Sequence, residues 1–155
     1  MDGVAMRPEW LREDNGGLFA LAGRQSLGGR LATGNRIELA EAWLADWQGT
    51  FGERLHLELT RTGRPDEDAF NTFALHASAK RGLPVIASND ARFLDFDGFE
   101  AHEARVCIST GRVLDDPKRP KEYSAEQYLK SSEQMAELLG MAPEAVDPAY
   151  GRSRA

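Results

Sequence analysis

Residues 83–94 read LPVIASNDARFL, and this stretch decides the fold. Its apolar centre, residues 85–87, is bracketed by Gly82 and by polar residues, a pattern that predicts a short buried strand with a polar carboxyl end. In α/β sheets, functional side chains collect at the carboxyl ends of the strands. Asp90 and Arg92 therefore lie where an active site would be. They are either a functional carboxylate and a phosphate-binding guanidinium, or a turn residue and its structural ion-pair partner.

A helix and another strand precede this stretch. Residues 66–81 begin with acidic and end with basic side chains, which complements the helix dipole, and Gly82 provides the stop. Upstream, residues 54–60 alternate between apolar and polar side chains, as expected of a half-buried strand. The order strand, helix, strand predicts a parallel βαβ unit with a right-handed crossover.

The remainder of the chain adds one more strand and several helices. A short strand is predicted within residues 17–22, and the glycine-rich residues 23–34 are predicted to form mainly a loop. Helices are predicted after Asn35, over residues 97–108, after Ser124 and over residues 133–139. The pattern indicates an α/β fold with few parallel strands and a helical C-terminal tail. Since three strands cannot close a barrel, the sheet is either small and open or part of something larger.

Composition limits the class of protein. The 155 residues carry a formal net charge of −6, whereas a free-standing nucleic-acid binder is typically basic. No apolar run approaches the ~18 residues that a membrane span requires, and the N-terminus lacks the apolar core of a signal peptide. The single cysteine, Cys107, excludes an internal disulfide and is typical of a small buried hydrophobe. These features predict one cytoplasmic domain with no membrane partner.

Few side chains have the spacing of a catalytic or metal site. The sequence contains no HxH, HExxH or cysteine–histidine cluster, and a serine–histidine–aspartate nucleophile has no local support. His56 and Glu58 share one face of the strand at residues 54–60, where they are either ligands of one ion or a solvated pair. No catalytic or cofactor-binding residue is assigned.

Several long segments, in the same order, resemble the alpha subunits of bacterial replicative DNA polymerase III. The segments are LELTRTGRP at 57–65, GLPVIASNDARFL at 82–94, FEAHEARV at 99–106 and LDDPKRP at 114–120. The resemblance extends over residues 7–147. It implies the C-terminal part of the N-terminal PHP (polymerase and histidinol phosphatase) domain of that family.

The PHP domain of this family is a distorted seven-stranded β/α barrel, so the resemblance accounts for the small number of strands expected here. The resemblance thus implies a partial PHP-type domain over residues 7–147. Residues 148–155 do not resemble the family. They are expected to be a divergent tail produced by truncation, by a shifted reading frame or by cloning.

The resemblance also implies a lost metal site. Metal-binding members of the family carry a cysteine at the position that matches Arg24. They carry an aspartate and a histidine at the positions that match Asp90 and Arg92. A guanidinium stays protonated and cannot donate a lone pair to a metal. We therefore expect a vestigial site without a metal ion, formed by Asp90, Arg92 and Arg24. In this site an arginine would pair with Asp90 and replace the ion as a structural cation.

The function that the resemblance implies is non-catalytic, in DNA replication. Such a domain would support the polymerase module of the alpha subunit and contact the proofreading exonuclease subunit. The parent DNA-directed DNA polymerase, a nucleotidyltransferase, uses magnesium and would make all contacts with DNA, so no cofactor is expected in this chain.

Two alternatives remain open from the sequence. One is a metal-dependent phosphoesterase of the PHP superfamily that uses Glu58, Asp90 and His56. The other is a free-standing protein that binds a partner through an exposed edge of its sheet.

Overall fold

The computed structural model describes residues 7–140. In chain order, the elements are α1 Pro8–Glu13, β1 Ala20–Ala22, α2 Leu27–Thr33, α3 Ile37–Phe51, β2 Leu55–Leu59, α4 Glu67–Arg81, β3 Val85–Ala87, α5 Phe99–Thr110 and α6 Ser132–Leu139. Short 3-10 turns at Gly52–Arg54 and Phe96–Gly98 precede β2 and α5. None of the helices within residues 7–140 combines the length and the apolar character of a membrane-spanning segment.

The chain divides into two compact units. Within the described residues, the first unit contains residues 7–59 and 69–86, and the second contains residues 60–68 and 87–140. The sheet and the helices packed on it belong to the first unit. The candidate site described below belongs to the second.

The three predicted strands are present and form one sheet in the order β1-β2-β3. β1 pairs with β2 in parallel, with Ala20 opposite Leu55 and Ala22 opposite Leu57. Between β2 and β3, the Leu57 amide donates to the Pro84 carbonyl over 2.9 Å. Helices alternate with these strands along the chain, so the predicted α/β class is confirmed.

The core of the first unit follows from the periodicity of its elements. On β2, Leu55 and Leu57 are buried at a spacing of two, and on α4, Phe70, Ala74 and Ala77 are buried at helical spacing. These side chains form one apolar cluster with residues of α3 and β1. The predicted end of α4 is also confirmed, because Gly82 follows it with a φ of 68°.

The prediction that β3 is a buried strand is wrong. Val85 and Ile86 are both exposed to solvent. The reason is the position of β3 at one edge of a three-stranded sheet. An apolar run of three residues is compatible with burial, but its burial depends on neighbours that sequence pattern does not reveal.

The second unit is held together mainly by loops. Asn89 Nδ2 donates to the carbonyls of Glu126 and Tyr128, each over 2.7 Å. Phe93 and Tyr128 form an isolated parallel bridge, which the Leu129 amide extends by donating to the Phe93 carbonyl over 3.0 Å. These contacts hold residues 124–129 in an irregular, extended path.

Two local predictions need correction. The helix predicted after Ser124 is absent, because the Ser124 side chain donates to the Thr62 carbonyl and the segment pairs with Phe93 instead. The loop predicted over residues 23–34 contains α2, whose first turn is capped by Ser26. Gly29 is required there, since a Cβ would lie 2.4 Å from the Arg24 carbonyl oxygen.

Of the predicted helical tail, the helix expected over residues 133–139 is present as α6. Ser131 caps it and exchanges hydrogen bonds with Gln134 in a capping box, and Gly140 ends it in the left-handed conformation. The divergent tail predicted for residues 148–155 lies outside the described residues.

Candidate functional site

Asp90 is the centre of the candidate site, and its backbone conformation is unusual. It follows β3 with a φ of 43°, in the left-handed region that few non-glycine residues adopt. Both of its carboxylate oxygens bind guanidinium groups. Oδ2 accepts from Arg64 Nη1 over 2.6 Å, and Oδ1 pairs with Arg92 Nη2 over 2.7 Å. The expected pairing of Asp90 with Arg92 is therefore present, and a second arginine joins it.

Arg64 links Asp90 to a second carboxylate. Its Nε donates to Thr62 Oγ1 over 3.0 Å and to Glu67 Oε1 over 3.3 Å. The side chains of Arg64 and Glu67 are only 6% and 4% exposed. One buried guanidinium thus neutralises a carboxylate in the first turn of α4 and a carboxylate on the loop that follows β3.

Glu67 accepts an unusually large number of hydrogen bonds. Its donors include the Thr62 amide at 2.7 Å, Thr62 Oγ1 at 2.6 Å, Thr60 Oγ1 at 3.0 Å and the Gly63 amide at 3.0 Å. Burial by itself raises the pKa of the Glu67 carboxyl, but the bonds from Thr62, Thr60 and Arg64 outweigh it, and the pKa lies below its usual value. Glu67 is therefore a stable carboxylate rather than a proton donor.

Gln127 completes the network from the third loop. It is fully buried, and its Nε2 donates to the carbonyl and the Oδ2 of Asp90, each over 3.1 Å. Its Oε1 accepts from the Ser124 amide over 3.0 Å. The Asp90 carboxylate is thus bound by side chains from the loop that precedes α4, from its own loop and from residues 124–129.

An aromatic and imidazole cluster lies beside Arg92. The Arg92 guanidinium carbon is 5.7 Å from the centre of the Tyr123 ring, and the His102 ring meets that ring edge-on at 4.6 Å. Burial lowers the pKa of the His102 imidazole, and Arg105 and Arg92 lower it further against the opposing effect of Glu103. The cluster packs one face of Arg92.

The other predicted site residues belong to the first unit. His56 and Glu58 share a face of β2, and the His56 ring lies 5.6 Å from the Phe19 ring. Buried nitrogens of His56 (Nδ1) and Arg24 (Nε) have no hydrogen-bond partner within residues 7–140. Glu58 packs against Gly23, where a side chain would overlap its carboxylate.

The residues around Asp90 do not fit a metal ion. Both carboxylate oxygens are engaged by arginines, and a guanidinium has no lone pair to offer a metal. Within residues 7–140, no three histidine, cysteine, aspartate or glutamate side chains are grouped so that they could hold an ion. The arrangement neutralises and orients the carboxylates of Asp90 and Glu67. It also fixes three loops around the buried guanidinium of Arg64.

Sequence reasoning missed Arg64, Glu67 and Gln127. Arg64 lies in the segment TGRP between β2 and α4, and Glu67 lies in the acidic start of α4, which the helix dipole alone explains. An arginine directly between a turn and an acidic helix start was an available signal. Nothing in the sequence around Gln127 distinguishes it from a surface glutamine.

Replacing Arg92 by alanine is expected to have a small effect. Its side chain is 40% exposed, so water screens its pair with Asp90, and Arg64 still neutralises that carboxylate. We expect the free energy of unfolding, measured by urea denaturation, to fall by about 1 kcal/mol or less. A loss of more than ~3 kcal/mol in the free energy of unfolding would mean that Arg92, rather than Arg64, supplies most of the stability of this network.

Comparison with known proteins identifies relatives along most of the chain. This chain is 60% identical to the DNA polymerase III subunit alpha of Xylella fastidiosa strain Temecula1 over 145 residues. The aligned region covers 94% of this chain. It is 46% identical over 140 residues to that of Escherichia coli strain K12, and 43% identical over 146 residues to that of Pseudomonas fluorescens, covering 89% and 93% of this chain.

No protein-family model matches the chain. In each of these relatives the matching region is short, since the chain spans about 12% of the relative's length. The aligned regions nevertheless extend over 140 residues or more. The chain is therefore homologous to one segment of the DNA polymerase III alpha subunits.

Proposed function

We propose that this chain is a non-catalytic, structural part of a DNA polymerase III alpha subunit in DNA replication. It would correspond to the C-terminal part of the N-terminal PHP domain. The observation that carries the proposal is the double engagement of Asp90 by Arg64 and Arg92. A carboxylate held by two guanidinium groups is neutralised and oriented, and it has little capacity left for an ion or a substrate.

In this proposal, buried arginine replaces a metal ion as the structural cation. A divalent ion would draw carboxylates from separate loops together, and Arg64 does the same for Glu67 and Asp90. Because a guanidinium presents several donors in a fixed plane, it can serve two carboxylates at once. The result is a rigid loop cluster that needs no cofactor from solution.

The scaffold role concerns the rest of the replicase. The segment would support the polymerase module and contact the proofreading exonuclease subunit. Magnesium, deoxynucleotides and DNA would be handled by other parts of the alpha subunit. Association of the purified exonuclease subunit with this chain, measured by biolayer interferometry, tests the second of these contacts, and the absence of binding would remove it from the proposal.

The alternative function is a metal-dependent phosphoesterase with His56 and Glu58 among its metal ligands. The observation that favours it is the buried Nδ1 of His56, which has no partner within residues 7–140 and shares a strand face with Glu58. An imidazole nitrogen and a carboxylate are ligands that zinc accepts.

A metal titration separates the two functions. We expect the purified 155-residue chain to bind neither Zn²⁺ nor Mn²⁺ stoichiometrically in calorimetry, because arginines already occupy Asp90. It should also leave bis-p-nitrophenyl phosphate uncleaved with either ion. Binding of one equivalent that is lost in both His56→Gln and Glu58→Gln would support the phosphoesterase and contradict the structural function.

A further inference from the structure

Two neighbouring side chains of α5 hold the loop that follows this helix. Glu103 pairs with Arg119, and the His102 ring lies nearly perpendicular to the Tyr123 ring, with 4.6 Å between the ring centres. Glu103 is 4% exposed and His102 is 7% exposed. All four residues belong to the second unit, so both sides of each contact lie within residues 7–140.

A cleft separates much of this loop, residues 112–123, from the helix. The cleft has a volume of about 390 Å³ and lies between Cys107 and Thr110 on the side of α5 and Arg112 and Pro120 on the side of the loop. The Cys107 thiol that lines it is buried. Because the loop is not packed closely along α5, its position depends strongly on the contacts made by Glu103 and His102.

His102 is held as a neutral imidazole. Its Nδ1 lies 3.3 Å from Arg105 Nη2, and because a guanidinium can only donate, Nδ1 is the acceptor. The ring proton is therefore on Nε2, which is buried and has no hydrogen-bond partner within residues 7–140. A second proton would have to bind at Nδ1, where it would face the Arg105 donor and remove this hydrogen bond.

The charges around His102 also oppose a second proton. Arg105 on the same helix and Arg92 on the loop after β3 are both positive. Among the described residues whose charge acts on the ring, Glu103 is the one carboxylate, and Arg119 already engages it. Burial, Arg105 and Arg92 therefore hold the pKa of His102 below its ordinary value of 6.5, against the opposing effect of Glu103. The other rings packed against the imidazole are those of Phe93 and Tyr123.

We propose that His102 is an acid-sensitive latch, in which protonation of the imidazole releases residues 112–123 from α5 and opens the cleft beside Cys107. In the open state the ring meets water and binds a proton as an ordinary histidine does, at about pH 6.5. The stability of the closed loop is therefore complete above this pH and is lost as the pH falls through the lower pKa of the closed state. This latch is independent of the function proposed above.

Cys107 can report the opening, because it is the single cysteine of the chain and is buried. We would measure its reaction with dipyridyl disulfide in the complete 155-residue chain and divide the rate by that of glutathione at the same pH, which corrects for thiol ionisation. We expect this ratio to rise several-fold between about pH 7.5 and pH 5.5, and by at most about tenfold per pH unit, the limit for one proton. Carboxyl groups such as Glu67 titrate below this range.

Three variants assign the effect to His102. His102→Gln cannot bind the proton, so the ratio should become independent of pH in this range. His76→Gln is the matched control, since His76 is exposed on α4, and it should keep the dependence of the wild type. Arg105→Gln, at an exposed position, should weaken the dependence, because the ring loses a neighbouring charge and Nδ1 loses its donor. A wild-type rise of less than about twofold overturns the proposal, as does a rise that His102→Gln or Arg105→Gln leaves unchanged.

Hydrogen exchange in the wild type distinguishes loop opening from unfolding and needs no variant. The amides of Arg112 and Arg119 donate to the Cys107 and Asp116 carbonyls, so the closed loop protects them. After correction for the intrinsic rate at each pH, acid should reduce protection in residues 112–123 and leave that of β2 unchanged. An equal loss of protection in β2 would mean that acid unfolds the chain, and it would contradict the latch.

Discussion

Replacing Arg64 by methionine should destabilise the second unit by about 3–5 kcal/mol, the cost of leaving a buried charge without its partner. Methionine preserves most of the volume of the side chain but removes the guanidinium. Glu67, which is 4% exposed, then loses its counter-ion. Asp90 keeps the half-exposed Arg92 as its remaining counter-ion. The hydrogen bond to Thr62 Oγ1 is lost as well. We expect loss of order in the loops that Arg64 joins.

Hydrogen exchange measured by mass spectrometry can locate this effect. Amides in residues 60–68 and 87–131 should lose protection in Arg64→Met, because these loops supply the partners of the guanidinium. Arg12→Met is the matched control, because Arg12 pairs with Asp46 over 2.6 Å at the surface, where such pairs contribute about 0–1 kcal/mol. Equal effects of the two substitutions on the free energy of unfolding would contradict the assignment of Arg64 as the structural cation.

Replacing Glu67 by glutamine should cost about 3 kcal/mol at neutral pH. The substitution changes one oxygen into an amide nitrogen. That nitrogen would face the donors of Thr62 or Gly63, which need acceptors. It also leaves Arg64 without the negative charge that lies 3.3 Å from its Nε. Urea denaturation at about pH 7 measures the difference from the wild type.

The same substitution should alter the response to acid. The folded-state pKa of Glu67 lies below its usual value of 4.5, so the folded protein prefers the carboxylate more strongly than the unfolded chain does. The stability that this preference contributes is complete above the unfolded-state pKa and is lost as the pH falls through the folded-state pKa. Glu67→Gln has no such group. Between about pH 7 and pH 3, its stability should therefore fall less than that of the wild type.

Glu38→Gln provides the control for both measurements. Glu38 is an exposed residue in the first turn of α3, so its loss should cost only about 0.3–1 kcal/mol, and the acid response should stay close to that of the wild type. If Glu67→Gln retained the full acid dependence of the wild type, Glu67 would not be the carboxylate that the network stabilises.

Local sequence signals determined most of the secondary structure. The period of two in β2, the acidic start and basic end of α4, and Gly82 after it each depend on neighbours within a few residues. For the same reason, the polar residues after the apolar run placed Asp90 and Arg92 on the loop that follows β3. Two residues apart on one loop, they formed the ion pair that their charges suggested.

The tertiary structure decided what those side chains meet. Arg64 and Asp90 are 26 positions apart and Gln127 is 37 positions beyond Asp90, so their hydrogen bonds depend on the paths of whole loops. The exposure of β3 likewise depends on which strands lie beside it. Local propensity is a property of a few adjacent residues, whereas burial and charge pairing depend on long-range contacts. The sequence therefore determined most of the elements and the loop on which Asp90 lies, and only the folded chain showed that a buried arginine binds this carboxylate.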